Sequence, residues 1–338
     1  MEIPDVPPQA ALQRLLHGAR ITQVLYAAAK LGIADQLANG PKTSDELATA
    51  TGAHPDALYR VLRALASLGV FEEREARRFA LTPVGALLQS DHPDSMSAFT
   101  VFLGEEAYRA WDDLLYSVMT GAPAFDHVYG ASHFAYLATH PEASAAFNQT
   151  MSDMSRRSAS AVVTAYDFAE AGTIVDVGGG QGMLLAAILR AHPALRGVLM
   201  DQPHVVASAQ AVLAEAGVAE RCAVVGGDFF EEVPSGGDIY TLRRIIHDWD
   251  DERGSLILRS CARALGPGGK VLVIEDVVAP GSEALNTTFR DLQMLVMTGG
   301  RERTEAEYSR LFTASGLRLT RIIPTQADAS IIESERDG

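Results

Sequence analysis

Apolar residues recur along this chain in two rhythms, and the change of rhythm divides it. Over residues 10–40 they fall at helical spacing, with Leu12, Leu15 and Leu16, then Val24, Leu25, Ala28 and Leu31, which predicts two amphipathic helices. Gly40-Pro41 breaks the pattern. Thr43-Ser44-Asp45-Glu46 restarts it with a polar cap and an acidic first turn. Leu47 belongs to the helix that follows, and Leu58, Val61, Leu62 and Leu65 to another beyond a glycine turn. A charged string at 72–78 separates Gly69-Val70-Phe71 from Arg78-Phe79-Ala80-Leu81, as in a β-hairpin wing. Residues 96–168 are helical again, with a break at Gly121-Ala122-Pro123. From residue 172 short β-branched runs at 173–177, 197–200, 222–225, 238–242 and 270–275 alternate with helical stretches near 183–191, 203–216 and 252–265. That alternation implies βαβ units and a parallel sheet covered on both faces. A helix near 304–315 and two strand-like runs, 317–324 and 329–333, suited to an antiparallel edge pair, complete the pattern.

Composition narrows the function. The chain has 338 residues, a length that favours two domains with one still possible, and its 47% apolar and 21% charged residues are those of a globular protein. Its formal net charge of −15 opposes binding to nucleic acid or to anionic lipid. Cys222 and Cys261 are too few for a disulfide framework or a thiolate metal site and suit a reducing compartment. The segment MEIPDVPPQA lacks a signal-peptide pattern, and no uncharged apolar run reaches the roughly 18 residues of a membrane span. A cytoplasmic location is expected. Helix-turn-helix plus wing is also the shape of many DNA readers. Residues 41–90, however, carry six basic and six acidic side chains, a poor footprint for phosphates.

The chemistry gathers at the predicted carboxyl ends of the strands. Thr173–Val177 runs into Gly178-Gly179-Gly180-Gln181-Gly182 and then into a helix, so the backbone can approach a ligand with no Cβ between. A dinucleotide loop needs a small last residue, and Met183 and Leu185 stand at the two possible positions. The dinucleotide reading therefore fails. Asp176-x-Gly178-x-Gly180-x-Gly182 fits instead a loop that cradles the amino-acid end of S-adenosylmethionine. Asp201, at the end of the next strand, suits a ribose, and Asp228-Phe229 after the third suits an adenine. After the fourth strand His247 stands in Arg243-Arg244-Ile245-Ile246-His247-Asp248-Trp249, placed to take a proton near neutral pH.

These segments, together with Asp201-Gln202-Pro203-His204-Val205 and Gly299-Gly300-Arg301-Glu302-Arg303-Thr304, resemble the ordered motifs of class I S-adenosylmethionine-dependent O-methyltransferases, of the plant caffeate and flavonoid and bacterial phenazine and polyketide tailoring type. The resemblance covers nearly the whole chain. It implies an α/β fold: a mostly helical winged-helix dimerisation domain (1–95), connecting helices that contribute to the acceptor pocket (96–168), and a Rossmann-like, seven-stranded cofactor domain with an antiparallel edge strand (169–338). It implies a homodimer and a small aromatic acceptor; no metal is expected, since the sequence shows no clustered His/Asp/Asn set of the kind that holds Mg²⁺. Asp176, Gly178, Gly180, Asp201, Asp228, Phe229 and Arg243 would hold the cofactor. His247 would be the general base, with Glu275 and Glu307 flanking it to hold the ring's other nitrogen. Phe147, Met151, Met154 and Met294 match positions lining the acceptor pocket. Plant members often carry His where Met154 stands and Asn-Pro-Gly-Gly where this chain has Met297-Thr298-Gly299-Gly300, so plant substrates do not carry over. The reaction implied is in-line displacement at a sulfonium methyl, leaving S-adenosylhomocysteine. A polyketide tailoring enzyme of this fold performing hydroxylation, decarboxylation or pericyclic chemistry stays open at this point, as does, further off, a cofactor-sensing regulator.

Overall fold

In the N-terminal region Thr43 caps the Ser44–Thr51 helix. Its hydroxyl accepts from the Glu46 N–H while the Glu46 carboxylate accepts from the Thr43 N–H, so two orphan donors are satisfied reciprocally. The structure, a computed structural model, describes residues 7–279, 285–327 and 329–337, without the Arg157 side chain. The run MEIPDV, part of the segment examined for a signal peptide, lies outside the described residues. The chain divides after Arg109 into two units.

In the first unit the helices Ser44–Thr51 and Pro55–Ser67 bury Leu47, Leu58, Leu62 and Leu65 with Ile33, Phe71 and Phe79. Strands β1 (Lys42–Thr43), β2 (Phe71–Arg74) and β3 (Arg78–Leu81) pair antiparallel in the order β1-β3-β2, which forms the expected wing. The helix Ser97–Gly104 lies on Gly18–Lys30 so closely that a Cβ at Gly104 would collide with Tyr26. The stretch 96–168 is accordingly not one body: this helix goes with the first unit, and everything from Ala110 onward with the second.

The second unit carries a seven-stranded sheet in the order β6-β5-β4-β7-β8-β10-β9. Its strands are β4 (Thr173–Val177), β5 (Arg196–Asp201), β6 (Cys222–Gly226), β7 (Ile239–Arg243), β8 (Lys270–Glu275), β9 (Leu317–Pro324) and β10 (Ser330–Arg336). The first five are parallel, and β10 runs antiparallel to both β8 and β9. Successive residues face opposite layers. Ile174, Leu272 and Ile274 share one layer of the core with Leu184, Leu185 and Ile188 of the Met183–Ala191 helix. Val175, Val177, Val271 and Val273 pack against Ile257 and Leu258 of Asp251–Ala264 and Leu311 and Phe312 of Glu305–Ala314. The helix expected over 203–216 is two, Pro203–Val206 and Ala209–Glu215, interrupted where the Ser208 hydroxyl accepts from the Gln181 amide. No described helix is long and apolar enough to cross a membrane.

Candidate active site

The strand order reverses between β4, with β5 on one side, and β7 on the other, so a crevice opens at the carboxyl ends of these strands. The glycine loop fills its floor. Gly178, Gly180 and Gly182 all take positive φ, 68°, 60° and 83°. Gly178 and Gly179 donate to the Met200 carbonyl at 2.8 and 3.1 Å, which ties the loop to β5. A Cβ at Gly178 would collide with Ile245 and touch Phe229 at 3.5 Å, so those two side chains close over the loop. A Cβ at Gly180 would meet nothing within 4 Å, which leaves its outer face open to a ligand.

The acids expected around this loop are brought to it in three ways. Asp201 Oδ2 accepts from the Gly180 N–H (2.8 Å) and Oδ1 from the Gln202 N–H (2.7 Å), and burial raises its pKa. Each oxygen keeps a second lone pair for a diol. Asp228 is exposed after β6, its Oδ1 fixed by the Phe230 N–H, while Phe229 is half-buried beside the loop. Asp176 differs from expectation. It is 1% exposed, its Oδ1 accepts from Thr241 Oγ1 (2.7 Å), and it lies directly beneath Gly179. It supports the loop from below and does not face the crevice. Burial pushes its pKa up to about 6. Arg243, at the end of β7, donates to Ser155 Oγ and Ser158 Oγ (both 2.7 Å) and to the Met154 carbonyl (3.2 Å), and so clamps the long Pro141–Ala165 helix beside the loop. Ser152 on that helix also donates to Gln181 Oε1 (2.9 Å).

The turn after β7 carries His247. The N–H groups of Ile245, Ile246 and His247 converge on one oxygen, Glu275 Oε1, at 3.0, 2.7 and 3.1 Å, and Tyr308 Oη donates to the other. Glu275 therefore holds the backbone of the turn, where the sequence placed it on the ring. The imidazole is held by Glu302: Nδ1 lies 2.8 Å from Glu302 Oε1. Glu307 is elsewhere. It completes a reciprocal cap with Thr304 at the start of the Glu305–Ala314 helix and pairs with Arg301, which corrects its assignment beside His247. Residues 300–303 are built against the turn. A Cβ at Gly300 would collide with the His247 carbonyl oxygen, which accepts from the Arg301 N–H (2.8 Å). Arg303, wholly buried, donates to the carbonyls of Ile246 (3.1 Å) and Trp249 (2.8 Å) and to Asp251 (2.9 Å). Sequence reasoning missed both Glu302 and Arg303.

Burial acts on the His247–Glu302 pair by disfavouring charge on both members. Burial, opposed by Glu275 and assisted by Arg244, pushes His247 down to about 3. Burial, opposed by Arg244 and Arg290, pushes Glu302 up to about 7. At neutral pH the ring is therefore an uncharged imidazole.

Above the turn stands an aromatic wall. Trp249 stacks on Phe134 (5.6 Å between centroids) and meets Phe229 and Phe230 edge-on. Phe134 and His133 reach Phe147 on the Pro141–Ala165 helix. Phe147, Met151 and Met154 follow one face of that helix at helical spacing, half-buried. Met294 is buried on Leu285–Met297, the helix whose Asp291 accepts from the Glu302 N–H (2.8 Å). The arrangement offers a cofactor crevice on one side and an apolar, aromatic-lined face on the other.

Residues 111–318 match the profile of an O-methyltransferase domain, and residues 13–91 that of an O-methyltransferase dimerisation domain. The phenazine O-methyltransferase PhzM of Lysobacter antibioticus is 50% identical over 329 residues, 97% of this chain and 96% of that protein. The mitomycin biosynthesis 6-O-methyltransferase of Streptomyces lavendulae is 39% identical over 342 residues, 99% of this chain and 98% of that one. Among solved structures, an O-methyltransferase from neocarzinostatin biosynthesis, in complex with S-adenosylmethionine and 2-hydroxy-5-methyl naphthoic acid, matches with a TM-score of 0.84 at 36% identity, covering 94% of this chain and 96% of that one.

Proposed function

The chain belongs to the S-adenosylmethionine-dependent O-methyltransferases that act on small aromatic natural products, and from that premise we propose that it methylates a ring hydroxyl of a phenazine, with His247 as general base and Glu302 as the group that orients it. The observation that carries the assignment of roles is the 2.8 Å contact from Nδ1 to Glu302, on a turn whose three N–H groups are gathered by Glu275 beside the glycine loop. The bound cofactor supplies a methyl group already activated on a sulfonium. The open outer face of Gly180, the free lone pairs of Asp201 and the Phe229 ring at the loop suit its amino-acid, ribose and adenine parts.

The remaining work falls to the protein. The crevice aligns the acceptor oxygen and excludes water, an effect of proximity and orientation. Phe134, Phe147 and Trp249 offer flat faces to an aromatic acceptor, and Met151, Met154 and Met294 adaptable apolar contacts. As the oxygen attacks, Nε2 of the uncharged ring takes its proton. Nδ1–H then donates to Glu302, whose negative charge stabilises the imidazolium. General-base assistance of this kind contributes about 10²–10⁴-fold.

The N-terminal unit we assign to pairing of two copies of the chain. The match over residues 13–91 and the exposed Leu12, Leu15 and Leu16 of the Pro8–Leu16 helix support this. Free Cys222 and Cys261 suit a reducing compartment, and we assign the reaction to the cytoplasm. The test is incubation with methyl-labelled S-adenosylmethionine and 1-hydroxyphenazine. Label recovered on the ring oxygen is the expected result. Label on a ring nitrogen, or none with any hydroxylated phenazine, would contradict the proposal.

A further inference from the structure

We propose that Arg244 is a positioning residue: it holds Glu302 in its charged form and thereby fixes which nitrogen of His247 carries the proton. The inference rests on the roles assigned to His247 and Glu302 above. Arg244 is a non-glycine residue with φ of 57°, a conformation that L side chains rarely adopt. Such backbone persists where the surroundings over-determine it. Here it bends the chain off β7 so that the next three N–H groups reach Glu275. Glycine or asparagine would take this bend with less strain, so an arginine at this position calls for a second reason.

The side chain supplies that reason. It is 11% exposed, and its Nη2 donates to Asp276 Oδ1 (3.0 Å), while Asp276 Oδ2 pairs with Arg290. This anchor sets Nη1 at 3.8 Å from Glu302 Oε1, the oxygen that contacts His247 Nδ1. Among the described residues neither Arg244 Nη1 nor Arg244 Nε makes a hydrogen bond. The guanidinium is thus anchored at one corner and directs its charge at the carboxylate with the rest. Other charges face the same place: Arg290 and Asp291 from the Leu285–Met297 helix, and Arg303 from the neighbouring position. Glu275 adds negative charge nearby and accepts from Tyr308 Oη, while Asp248, whose carboxyl burial raises well above the usual carboxylate range, places Oδ1 3.8 Å from His247 Nε2. Arg303 is committed to Asp251 and to three carbonyls. When Glu302 is charged, the ring gives Nδ1–H to it and leaves the Nε2 lone pair bare for the acceptor. When Glu302 is protonated it donates to Nδ1, and Nε2 carries the hydrogen and cannot act as base.

The experiment compares wild type with Arg244→Asn, Arg244→Gly and Arg244→Lys, using 1-hydroxyphenazine as acceptor. Calorimetry with S-adenosylhomocysteine reports the fold, and kcat against pH reports the pair. The neutral variants should bind S-adenosylhomocysteine, move the acid limb of kcat upward by about one pH unit and lower kcat at neutral pH about fivefold, with KM little changed. Arg244→Lys should keep the wild-type limb. In His-labelled protein with S-adenosylhomocysteine, the ring 15N shifts of His247 should pass from the Nδ1–H to the Nε2–H tautomer between wild type and Arg244→Asn. An unchanged limb or tautomer in the neutral variants overturns the proposal. So does an equal shift in Arg244→Lys, or loss of S-adenosylhomocysteine binding in both neutral variants. Full turnover by His247→Ala would instead remove the assignment of the base itself, and the two failures are thereby distinguished.

Discussion

Two glutamates five positions apart, Glu302 and Glu307, compete for the role of orienting His247, and their surroundings separate them. Glu302 is buried against Nδ1, and Glu307 caps a helix. Glu302→Gln should lower kcat about 10²-fold or more while S-adenosylhomocysteine still binds. Glu307→Ala should leave kcat intact and cost about 0.3–1.5 kcal/mol of stability, seen in thermal unfolding. The pH dependence follows from the same pair. Its active form has a carboxylate facing an uncharged ring, and burial lifts the Glu302 carboxyl to about 7. Activity should therefore fall as pH drops through about 7, and a kcat profile records it. The distinction was half legible in the sequence. Thr304-x-x-Glu307 is a capping-box pattern, which would have claimed Glu307 for the helix and left Glu302 in the loop. His247 itself was legible because a strand ended four residues before it. Arg303 was not, because nothing in a sequence says that an arginine will be threaded under a turn 54 to 57 positions distant in no regular pattern, yet it caps the carbonyls of residues 246 and 249.

Strands and helices of the sheet domain were the most legible elements, because burial imposes a period of two on one and 3.6 on the other. Thr173–Val177, Met183–Ala191 and Lys270–Glu275 coincide with their predicted ranges. The break within 203–216 was hidden, since Ala207-Ser208 carries no glycine or proline; it depends on a hydrogen bond from Gln181 in the glycine loop. Leu185 shows why the dinucleotide pattern failed: it is wholly buried between helix and sheet, where a dinucleotide loop would need a small residue. Leu185→Ala should cost about 2–5 kcal/mol in denaturant unfolding. One strand in from the β9 edge, Glu333 on β10 is buried, which works to raise its pKa, but hydrogen bonds from Arg321, Tyr166 and Thr320 outweigh burial and bring it down to about 2. A depressed carboxyl stabilises the fold above its unfolded pKa, and that contribution is lost as pH falls toward about 2. Glu333→Gln should therefore flatten the acid side of the stability profile, as urea unfolding at a series of pH values would show.

At the scale of the molecule, composition and the order of motifs pointed to a two-part chain with a parallel sheet, and the sheet order and the profile matches agree. The boundary was less legible. Helices run without a change of rhythm through the residues where the chain divides, at Arg109, so periodicity has nothing to mark there. Pairing of two copies should appear in sedimentation as a particle of twice the 36.1 kDa chain. Leu15→Asp, on the exposed apolar side of the Pro8–Leu16 helix, should shift it toward the monomer. The claim on which the rest depends is that His247 receives the acceptor's proton at the mouth of the cofactor crevice. A crystal structure with S-adenosylhomocysteine and 1-hydroxyphenazine tests it most directly. The account predicts the phenazine oxygen within about 3 Å of His247 Nε2 and on the side facing the sulfur. An oxygen held by another group, with Nε2 turned away from the acceptor, would contradict it.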